Sequence, residues 1–269
     1  MPSAIRGAPS GAAAICDRYV GILFDVDGVL LHGDEPIPGA AETVTALRER
    51  GLGVGFVTNN ATRTPERVAA ALRAAGVKAS GDEVITSSVA AAELLEPGIR
   101  CLVIGMEGLV EPLRARGCVL VRDPVDAQAV VVGWDRGLVW DDLRRATLAL
   151  TRGARFVGTN SDVSYPAREG LWPGNGAVLA ALTAATGREP EIAGKPQPAV
   201  FRAAAARLPS GPLLMVGDRP ETDLAGAGAL GWDTALVLTG VTSREAAAAV
   251  QPRPTWVLDD VRGLMAPSS

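Results

Sequence analysis

Short β-branched runs alternate with Ala-rich helical stretches along almost the whole chain, and this alternation constrains the fold most. The first repeat of the pattern predicts a buried strand at 19–24, a helix at 40–51, a strand at 52–58 and a helix at 65–76. Thr64 precedes the second helix as an N-cap residue. Strands and helices in this order are typical of βαβ units, so the chain is predicted to be an α/β protein with a parallel sheet.

The composition narrows the classes of function. The 269 residues are 48% apolar with a formal net charge of -4, and no basic stripe is present, which argues against a nucleic-acid partner. No apolar run approaches the roughly 20 residues that span a bilayer, and the small-residue-rich start predicts a flexible extension over residues 1–16. Three cysteines without a C-x-x-C spacing argue against a disulfide framework or a zinc site. We therefore expect a cytoplasmic protein with no membrane partner.

Polar residues cluster directly after three of the predicted strands. These clusters are D-V-D-G at 25–28, T-N-N at 58–60 and G-D-R-P-E-T-D at 217–223. In open parallel sheets, ligands bind at the carboxyl ends of strands, where loops and helix N-termini converge. We therefore expect the three clusters to line one crevice.

The first cluster has the chemistry of a cation site. Asp25 and Asp27 are two residues apart, so an extended backbone points both carboxylates to the same side. Two such carboxylates repel each other unless one is protonated or a dication lies between them. D-x-D-G is also a common turn or calcium-loop fragment, but the residues that follow lack the closing Glu of an EF-hand.

The other clusters are weaker signals when taken alone. The T-N-N side chains at 58–60 offer neutral donors to an anion, but Asn-Asn is also ordinary turn chemistry. Lys195, between Gly and Pro, is a point charge for a phosphate or a solvated turn residue. Asp218 ends a predicted strand and suits a hard cation. Asp223 lies at a helix start, where an acid is favoured in any case.

In this order, the motifs D-x-D-G, T-N-N, G-K-P and G-D-x-x-x-T-D resemble those of the haloacid dehalogenase (HAD) superfamily of phosphohydrolases. The resemblance extends over about 17–262. The spacing of the motifs is similar to that of the large α/β-cap (type IIA) subgroup, which includes nag-operon and p-nitrophenyl phosphatases. It implies a three-layer, Rossmann-like parallel-sheet core at 17–83 and 188–264. An α/β cap domain would be inserted at 84–187.

The resemblance also implies a role for each motif residue. Asp25 would be the nucleophile, and Asp27 would be the general acid and then the general base. The transferring phosphoryl group would be held by hydroxyl, amide and ammonium donors, which are Thr58, Asn59, Asn60 and Lys195. Four aspartates would form the site of a Mg²⁺ cofactor: Asp25, Asp27, Asp218 and Asp223. Asp27 would contribute its backbone carbonyl, and Asp223 would support the residues that contact the metal.

The function implied is Mg²⁺-dependent hydrolysis of a small phosphate monoester through a phospho-aspartate. Sugar, glycerol, glycolate and aryl phosphates all stay open as substrates, because the cap selects the leaving group. One alternative is a phosphotransferase or mutase acting on small phosphates. Another is a catalytically silent binding module, which would have lost at least one motif residue. A homodimer is possible, since members of the subgroup dimerise through the cap.

Three further features allow a structural or a functional interpretation: a glycine-rich segment, the single histidine and a group of tryptophans. G-A-G-A-L-G at 226–231 matches a dinucleotide fingerprint but precedes a predicted strand, so it predicts helix packing. His32 follows the first motif and is expected on a flap. Trp134, Trp140 and Trp172 fall within the predicted cap, where they either fill a core or shape a substrate pocket.

Overall fold

A computed structural model describes residues 13–167 and 169–267. In chain order its strands are β1 (Gly21–Asp25), β2 (Leu31–His32), β3 (Glu35–Pro36), β4 (Gly53–Thr58), β5 (Val84–Thr86), β6 (Arg100–Ile104), β7 (Val119–Leu120), β8 (Ala129–Val132), β9 (Arg155–Gly158), β10 (Ser164–Ala167), β11 (Gly170–Pro173), β12 (Glu191–Ile192), β13 (Leu213–Gly217), β14 (Asp233–Val237) and β15 (Trp256–Leu258).

The α-helices are α1 (Ala40–Glu49), α2 (Pro65–Ala74), α3 (Ser87–Glu93), α4 (Glu107–Ala115), α5 (Trp140–Thr151), α6 (Asn175–Thr186), α7 (Pro198–Ala205), α8 (Ala225–Gly228) and α9 (Arg244–Ala247). Short 3₁₀ turns cover Ile15–Arg18, Gly81–Glu83 and Val261–Met265, and a π-helical turn covers Pro220–Leu224.

Two parallel sheets organise these elements. The first has the strand order β15-β14-β13-β1-β4-β5, and the second has the order β12-β9-β8-β6-β7. In the first sheet Phe24 of β1 lies opposite Val216 of β13 on one side and Phe56 of β4 on the other. Two antiparallel hairpins, β2–β3 and β10–β11, stand apart from both sheets. The parallel α/β class predicted from the alternating pattern is confirmed.

Side-chain alternation along the first sheet builds its two apolar layers. Ile22 and Phe24 of β1 belong to one buried cluster, together with residues of α1 and α2. Leu23, between them, points to the opposite face and packs in a second cluster with Val200 and Phe201 of α7. A strand that is buried on both faces has a continuous apolar sequence, as β1 has over residues 21–24. The result is a sheet between two helical layers.

The second sheet is joined to the first through a shared apolar cluster. Val131 of β8 and Leu109 of α4 lie in the same buried cluster as Leu23 and α7. The other face of the second sheet packs on α5 and α6, with Leu150 and Leu182 buried there. Each sheet therefore has helices on both faces, and one of the helical layers lies between the two sheets.

Sheet membership bears on the predicted division of the chain. Val84–Thr86 pairs with β4 in the first sheet, whereas the predicted inserted unit began at 84. Glu191–Ile192 pairs with β9 in the second sheet, whereas that unit was predicted to end at 187. The predicted extension lies outside the described residues as far as residue 12. Ile15 and Cys16, also predicted in the extension, are instead buried, because they belong to the same apolar cluster as Ile22 and Phe24 of β1.

Local signals in the sequence explain several element ends. The side chain of Thr64 accepts a hydrogen bond from the Arg67 N–H at 3.3 Å, as expected of an N-cap, and Pro65 occupies the first helical position. A Cβ at Gly226 would lie 2.2 Å from Cε2 of Phe201, so α8 approaches α7 only because position 226 is glycine. The G-x-G-x-x-G segment therefore serves helix packing, as predicted.

Candidate active site

The three polar clusters meet at the carboxyl edge of the first sheet. Asp25 is the last residue of β1, Thr58 is the last residue of β4, and Asp218 directly follows β13. Because β1 lies between β13 and β4, their parallel ends converge on one point. Asp25, Thr58 and Asp218 are all buried there, at 6%, 3% and 1% exposure. The predicted convergence is therefore present in the fold.

A buried lysine lies at the centre of this edge. Nζ of Lys195 is 2.6 Å from Oδ1 of Asp25 and 2.6 Å from Oδ1 of Asp223. Lys195 is 4% exposed, and the chain has only one other lysine, Lys78, which is exposed. A buried ammonium is retained when carboxylates pair with it, because an unpaired buried charge is very costly. The solvated-turn alternative for Lys195 is therefore wrong.

Burial and the crowded carboxylates set the protonation of the site. Burial, together with the nearby Asp223 and Asp218, raises the pKa of Asp25 to about 8 against the pull of Lys195. Burial alone would lower the pKa of Lys195, but Asp223 and Asp25 outweigh burial and raise it above the ordinary value. Three acidic groups thus lie near one ammonium, and when all three are ionised they carry more negative charge than Lys195 neutralises.

The surplus negative charge fits a hard dication. Within residues 13–167 and 169–267, one group of carboxylates is close enough to share an ion: oxygens of Asp25, Asp218 and Asp223 lie within 4.8 Å of one another. Oδ1 of Asp218 is buried and has no hydrogen-bond partner among the described residues. An all-oxygen donor set of this kind suits Mg²⁺. The carboxylate of Asp27 is not in this group, and its side chain is exposed at the cavity.

Asp218 is held by a loop that the sequence did not reveal. The Val241 N–H donates to Oδ2 of Asp218 at 2.7 Å, and the Thr242 hydroxyl donates to the Asp218 carbonyl at 2.6 Å. A Cβ at Gly240 would lie 2.0 Å from Oδ2 of Asp218, so a side chain at position 240 would displace the carboxylate. The signal that could have found this loop is the T-G-V-T run following the strand β14.

Asp223 supports the loop of Asp218 from behind. Oδ2 of Asp223 accepts hydrogen bonds from the N–H groups of Asp218 at 3.2 Å and Arg219 at 3.1 Å. Its other oxygen faces Lys195. Asp223 is fully buried within the π-helical turn Pro220–Leu224. It therefore connects the loop of Asp218 to the lysine.

The T-N-N segment differs from the expectation in one respect. The amide of Asn59 is occupied by the Lys195 backbone: its Nδ2 donates to the Lys195 carbonyl at 3.1 Å, and its Oδ1 accepts from the Lys195 N–H at 2.8 Å. The Asn59 side chain therefore fixes the lysine loop and is not free to hold a phosphoryl group. The Asn60 N–H donates to the Thr58 hydroxyl at 3.1 Å, and Oδ1 of Asn60 accepts from Thr62.

The site opens into a cavity of about 750 Å³ between the two sheets. Asp25, Asp27, Lys195 and Asp218 line one side, with His32 on the β2–β3 hairpin. The loop after β9 and the β10–β11 hairpin line the other side: Asn160, Asp162, Ser164 and Tyr165. Desolvation within the cavity raises the pKa of Asp162, and Arg219 and Lys195 oppose this shift. The sequence alone did not separate these four residues from the rest of their segment.

One of the three tryptophans, Trp134, fits the substrate-pocket interpretation. Trp134 lines the cavity and stacks on Tyr165, with ring centroids 4.8 Å apart. Trp172 lies 6.2 Å from Trp134, and the Arg136 guanidinium lies over both indoles at 5.4 and 4.9 Å. Trp140 is 83% exposed and neither fills a core nor lines the cavity. The aromatic wall beside the cavity is therefore built around Trp134.

Comparison with known families agrees with this geometry. A model described as "haloacid dehalogenase-like hydrolase" matches residues 22–119, and a second HAD-hydrolase-like model matches residues 192–264. Together these matches cover more than half of the chain, and they include Asp25, Lys195 and Asp218. The chain belongs to the haloacid dehalogenase-like hydrolases.

Individual relatives refine the assignment within the superfamily. The chain is 42% identical to a D-glycerol 3-phosphate phosphatase of Mycobacterium tuberculosis over 93% of its own length and 72% of that relative's. It is 38% identical to an acid sugar phosphatase of Staphylococcus saprophyticus, over 91% of this chain and 96% of the relative.

Solved structures agree with these sequence relatives. A glycerol phosphate phosphatase of Mycobacterium tuberculosis in complex with magnesium has a TM-score of 0.88 and 40% identity, covering 95% of this chain and 79% of that one. NagD from Escherichia coli K-12 has a TM-score of 0.83 and 32% identity, covering 90% and 96%.

These comparisons bear out the broad predictions. The predicted HAD fold, the phosphatase class and Mg²⁺ as the cofactor are confirmed by the relatives together with the buried carboxylate group. No helix within residues 13–167 and 169–267 is long and apolar enough to cross a membrane. Cytoplasmic localisation and a homodimer stay predictions.

Proposed function

We propose that this phosphatase hydrolyses small phosphate monoesters through a phospho-aspartate formed on Asp25. The observation that carries the proposal is the contact of Lys195 with Asp25 at the carboxyl end of the central strand. The second carboxylate, that of Asp27, is exposed in the same cavity and has no such contact with Lys195. One buried carboxylate beside an ammonium suits a nucleophile, and one exposed carboxylate suits a group that exchanges protons with substrate and water.

The first displacement uses the two aspartates together. An oxygen of Asp25 attacks phosphorus, and the bond from phosphorus to the ester oxygen breaks. Asp27, in its protonated form, donates its proton to the departing alkoxide. Desolvation within the cavity raises the pKa of Asp27, which favours the protonated form, although Lys195 and Arg63 oppose the shift. Lys195 faces the negative charge that develops on the phosphoryl oxygens.

The second displacement regenerates the enzyme. Asp27, now ionised, takes a proton from a water molecule, and the water oxygen attacks phosphorus of the phospho-aspartate. The bond between phosphorus and the Asp25 oxygen breaks and inorganic phosphate forms. Asp25, Asp218 and the backbone carbonyl of Asp27 would hold Mg²⁺, which would supply positive charge to the site when bound. Thr58 and Asn60 are proposed to donate to the phosphoryl oxygens.

The second sheet and its helices are proposed to act as a cap domain. The sequence prediction for this unit was 84–187, and strand pairing favours a start after Thr86 and an end after Ile192. The cavity is lined from both sheets, so a unit that closes over the first sheet would exclude water and contact the leaving group. The volume of about 750 Å³ suits a small substrate.

The experiment that tests the proposal measures phosphate release from a panel of monoesters. The wild type, Asp25→Asn and the exposed-site control Asp126→Asn are compared with Mg²⁺ and with EDTA. We expect Mg²⁺-dependent release from wild type and control, and a loss of at least about 10³-fold in Asp25→Asn. Release that persists in Asp25→Asn would contradict the proposal. Transfer of phosphate to an acceptor alcohol in place of water would favour the phosphotransferase alternative.

A further inference from the structure

A carboxylate without a protein partner faces the leaving-group side of the cavity. Asp162 lies on the loop after β9, opposite the metal-side aspartates, and its side chain is exposed within the cavity. Among the described residues, no side chain or backbone N–H donates to its carboxylate. Acceptor oxygens left open in a binding cavity are available for donors on a ligand.

The backbone beneath Asp162 is fixed on several sides. The Asp162 N–H donates to Oδ1 of Asn160 at 3.3 Å, and Nδ2 of Asn160 donates to the Asn59 carbonyl at 2.9 Å. The Gly176 N–H donates to the Asp162 carbonyl at 2.9 Å. The loop is therefore tied both to the T-N-N segment of the first sheet and to the start of α6.

Close packing adds to these hydrogen bonds. A Cβ at Gly174 would lie 2.2 Å from the carbonyl oxygen of Asp162, and a Cβ at Gly176 would lie 2.4 Å from the carbonyl oxygen of Ser161. Glycine at both positions lets the turn before α6 rest directly on the loop. A carboxylate on such a base is preorganised, which is what selective recognition requires.

The groups beside Asp162 define what it can recognise. Ser164 and the stacked rings of Trp134 and Tyr165 share its side of the cavity. A hydroxyl, an aromatic wall and a carboxylate together suit an alcohol that carries hydroxyl groups on a short carbon chain. The cationic side chains that line the cavity, Lys195 and Arg219, lie beside Asp25 and Asp218, where the phosphate is proposed to bind.

We propose that Asp162 selects the leaving group, by accepting hydrogen bonds from the hydroxyls of an uncharged polyol phosphate and by repelling leaving groups that carry a carboxylate. The proposal rests on the proposed function and names the substrate class for that site. A site that hydrogen-bonds a substrate hydroxyl discriminates against analogues lacking it, because its own polar group is then left unpaired. A like charge placed against the Asp162 carboxylate is disfavoured by Coulomb repulsion.

The test compares substrates within each variant, so that a general loss of activity does not imitate a change of selectivity. Glycerol 3-phosphate, phosphoglycolate, phosphoethanolamine and p-nitrophenyl phosphate are assayed with Mg²⁺ for the wild type and Asp162→Asn. The control Glu189→Gln removes an exposed negative charge from outside the cavity. Each kcat/KM is expressed relative to that for p-nitrophenyl phosphate, which carries neither hydroxyls nor a carboxylate on its leaving group.

We expect Asp162→Asn to lower kcat/KM for glycerol 3-phosphate by about tenfold or more, the effect of one charge-assisted hydrogen bond. Release from p-nitrophenyl phosphate should stay within about twofold of wild type, and so should every substrate in the control. The preference for glycerol 3-phosphate over phosphoglycolate should shrink in Asp162→Asn.

Two results would overturn the assignment. The first is an unchanged ratio between substrates in Asp162→Asn, whether or not activity falls equally on all of them. The second is a wild-type preference for phosphoethanolamine, since Asp162 would then recognise a cation. In each case the wild type still releases phosphate, so the proposed function stands. Absence of release from any monoester by the wild type would contradict the proposed function, and the selectivity proposal with it.

Discussion

Replacing Lys195 by Met should destabilise the metal-free protein in a pH-dependent way. The substitution keeps the volume of the side chain but removes the ammonium that lies 2.6 Å from both Asp25 and Asp223. Breaking a buried ion pair from one side costs about 3–5 kcal/mol. At about 2–4 °C per kcal/mol for a chain near this size, the melting temperature should fall by about 6–20 °C in EDTA near pH 8.

The pH dependence follows from the carboxylates left behind. The pKa of Asp25 is raised to about 8 in the folded, metal-free protein, above its ordinary value of 3.8. A group shifted in this direction favours folding below pH 3.8, and that contribution is lost as the pH rises through about 8. Without Lys195 the pKa of Asp25 rises further, so the deficit in melting temperature should be smaller near pH 5 than near pH 8.

Differential scanning fluorimetry at both pH values, with EDTA and with Mg²⁺, measures these effects. Lys78→Met is the matched control, since Lys78 is the other lysine and is exposed; its melting temperature should stay close to wild type. Mg²⁺ should recover part of the loss in Lys195→Met by neutralising the carboxylates. A deficit that equals the control, or that does not change with pH, would refute the electrostatic account of the site.

Three further outcomes are expected. Gly108→Ala should lower the free energy of unfolding, measured by chemical denaturation, by about 1–3 kcal/mol, because its Cβ would lie 2.4 Å from the backbone of the loop after β4. The control Gly228→Ala, where no atom lies within 4 Å of the added Cβ, should be neutral or slightly stabilising. Equal effects of the two substitutions would contradict the close packing at Gly108. As the pH rises towards 8, the Mg²⁺ affinity measured by calorimetry should increase by up to about tenfold per pH unit, since Asp25 must lose its proton to bind the metal. An affinity that does not change with pH would argue against Asp25 as a ligand. Asn59→Ala should lower kcat by about tenfold or more with little change in KM, because the backbone of Lys195 loses both hydrogen bonds to the Asn59 amide. An unaltered kcat would show that these hydrogen bonds are not needed for catalysis.

The sequence predicted the first sheet well because local and global signals coincide there. Each of β1, β4 and β13 is an apolar run that ends at a polar cluster, and parallel strands bring those clusters to one edge. The position of Lys195 at this edge came from the family resemblance, since Gly-Lys-Pro alone favours an exposed turn. Its burial depends on contacts with residues far away in the chain, which no local pattern encodes.

The parts that were missed depend on tertiary contacts. The 239–242 loop was not singled out, because Gly and Thr there look like an ordinary turn until Asp218 packs against them. Asn59 was predicted to hold phosphate, but its amide is occupied by the Lys195 backbone, 136 residues further along the chain. β12 was missed because two residues give no periodicity, and only its pairing with β9 defines it as a strand.

Acid-quenched mass spectrometry during turnover tests the central claim most directly. A phosphoryl group on the peptide that contains Asp25 is predicted for the wild type with Mg²⁺ and a good monoester substrate. The adduct should accumulate in Asp27→Asn, because the second displacement lacks its base, and should be absent in Asp25→Asn. Steady turnover with no adduct on this peptide in Asp27→Asn, or an adduct on a different residue, would contradict the assignment of Asp25 as the nucleophile.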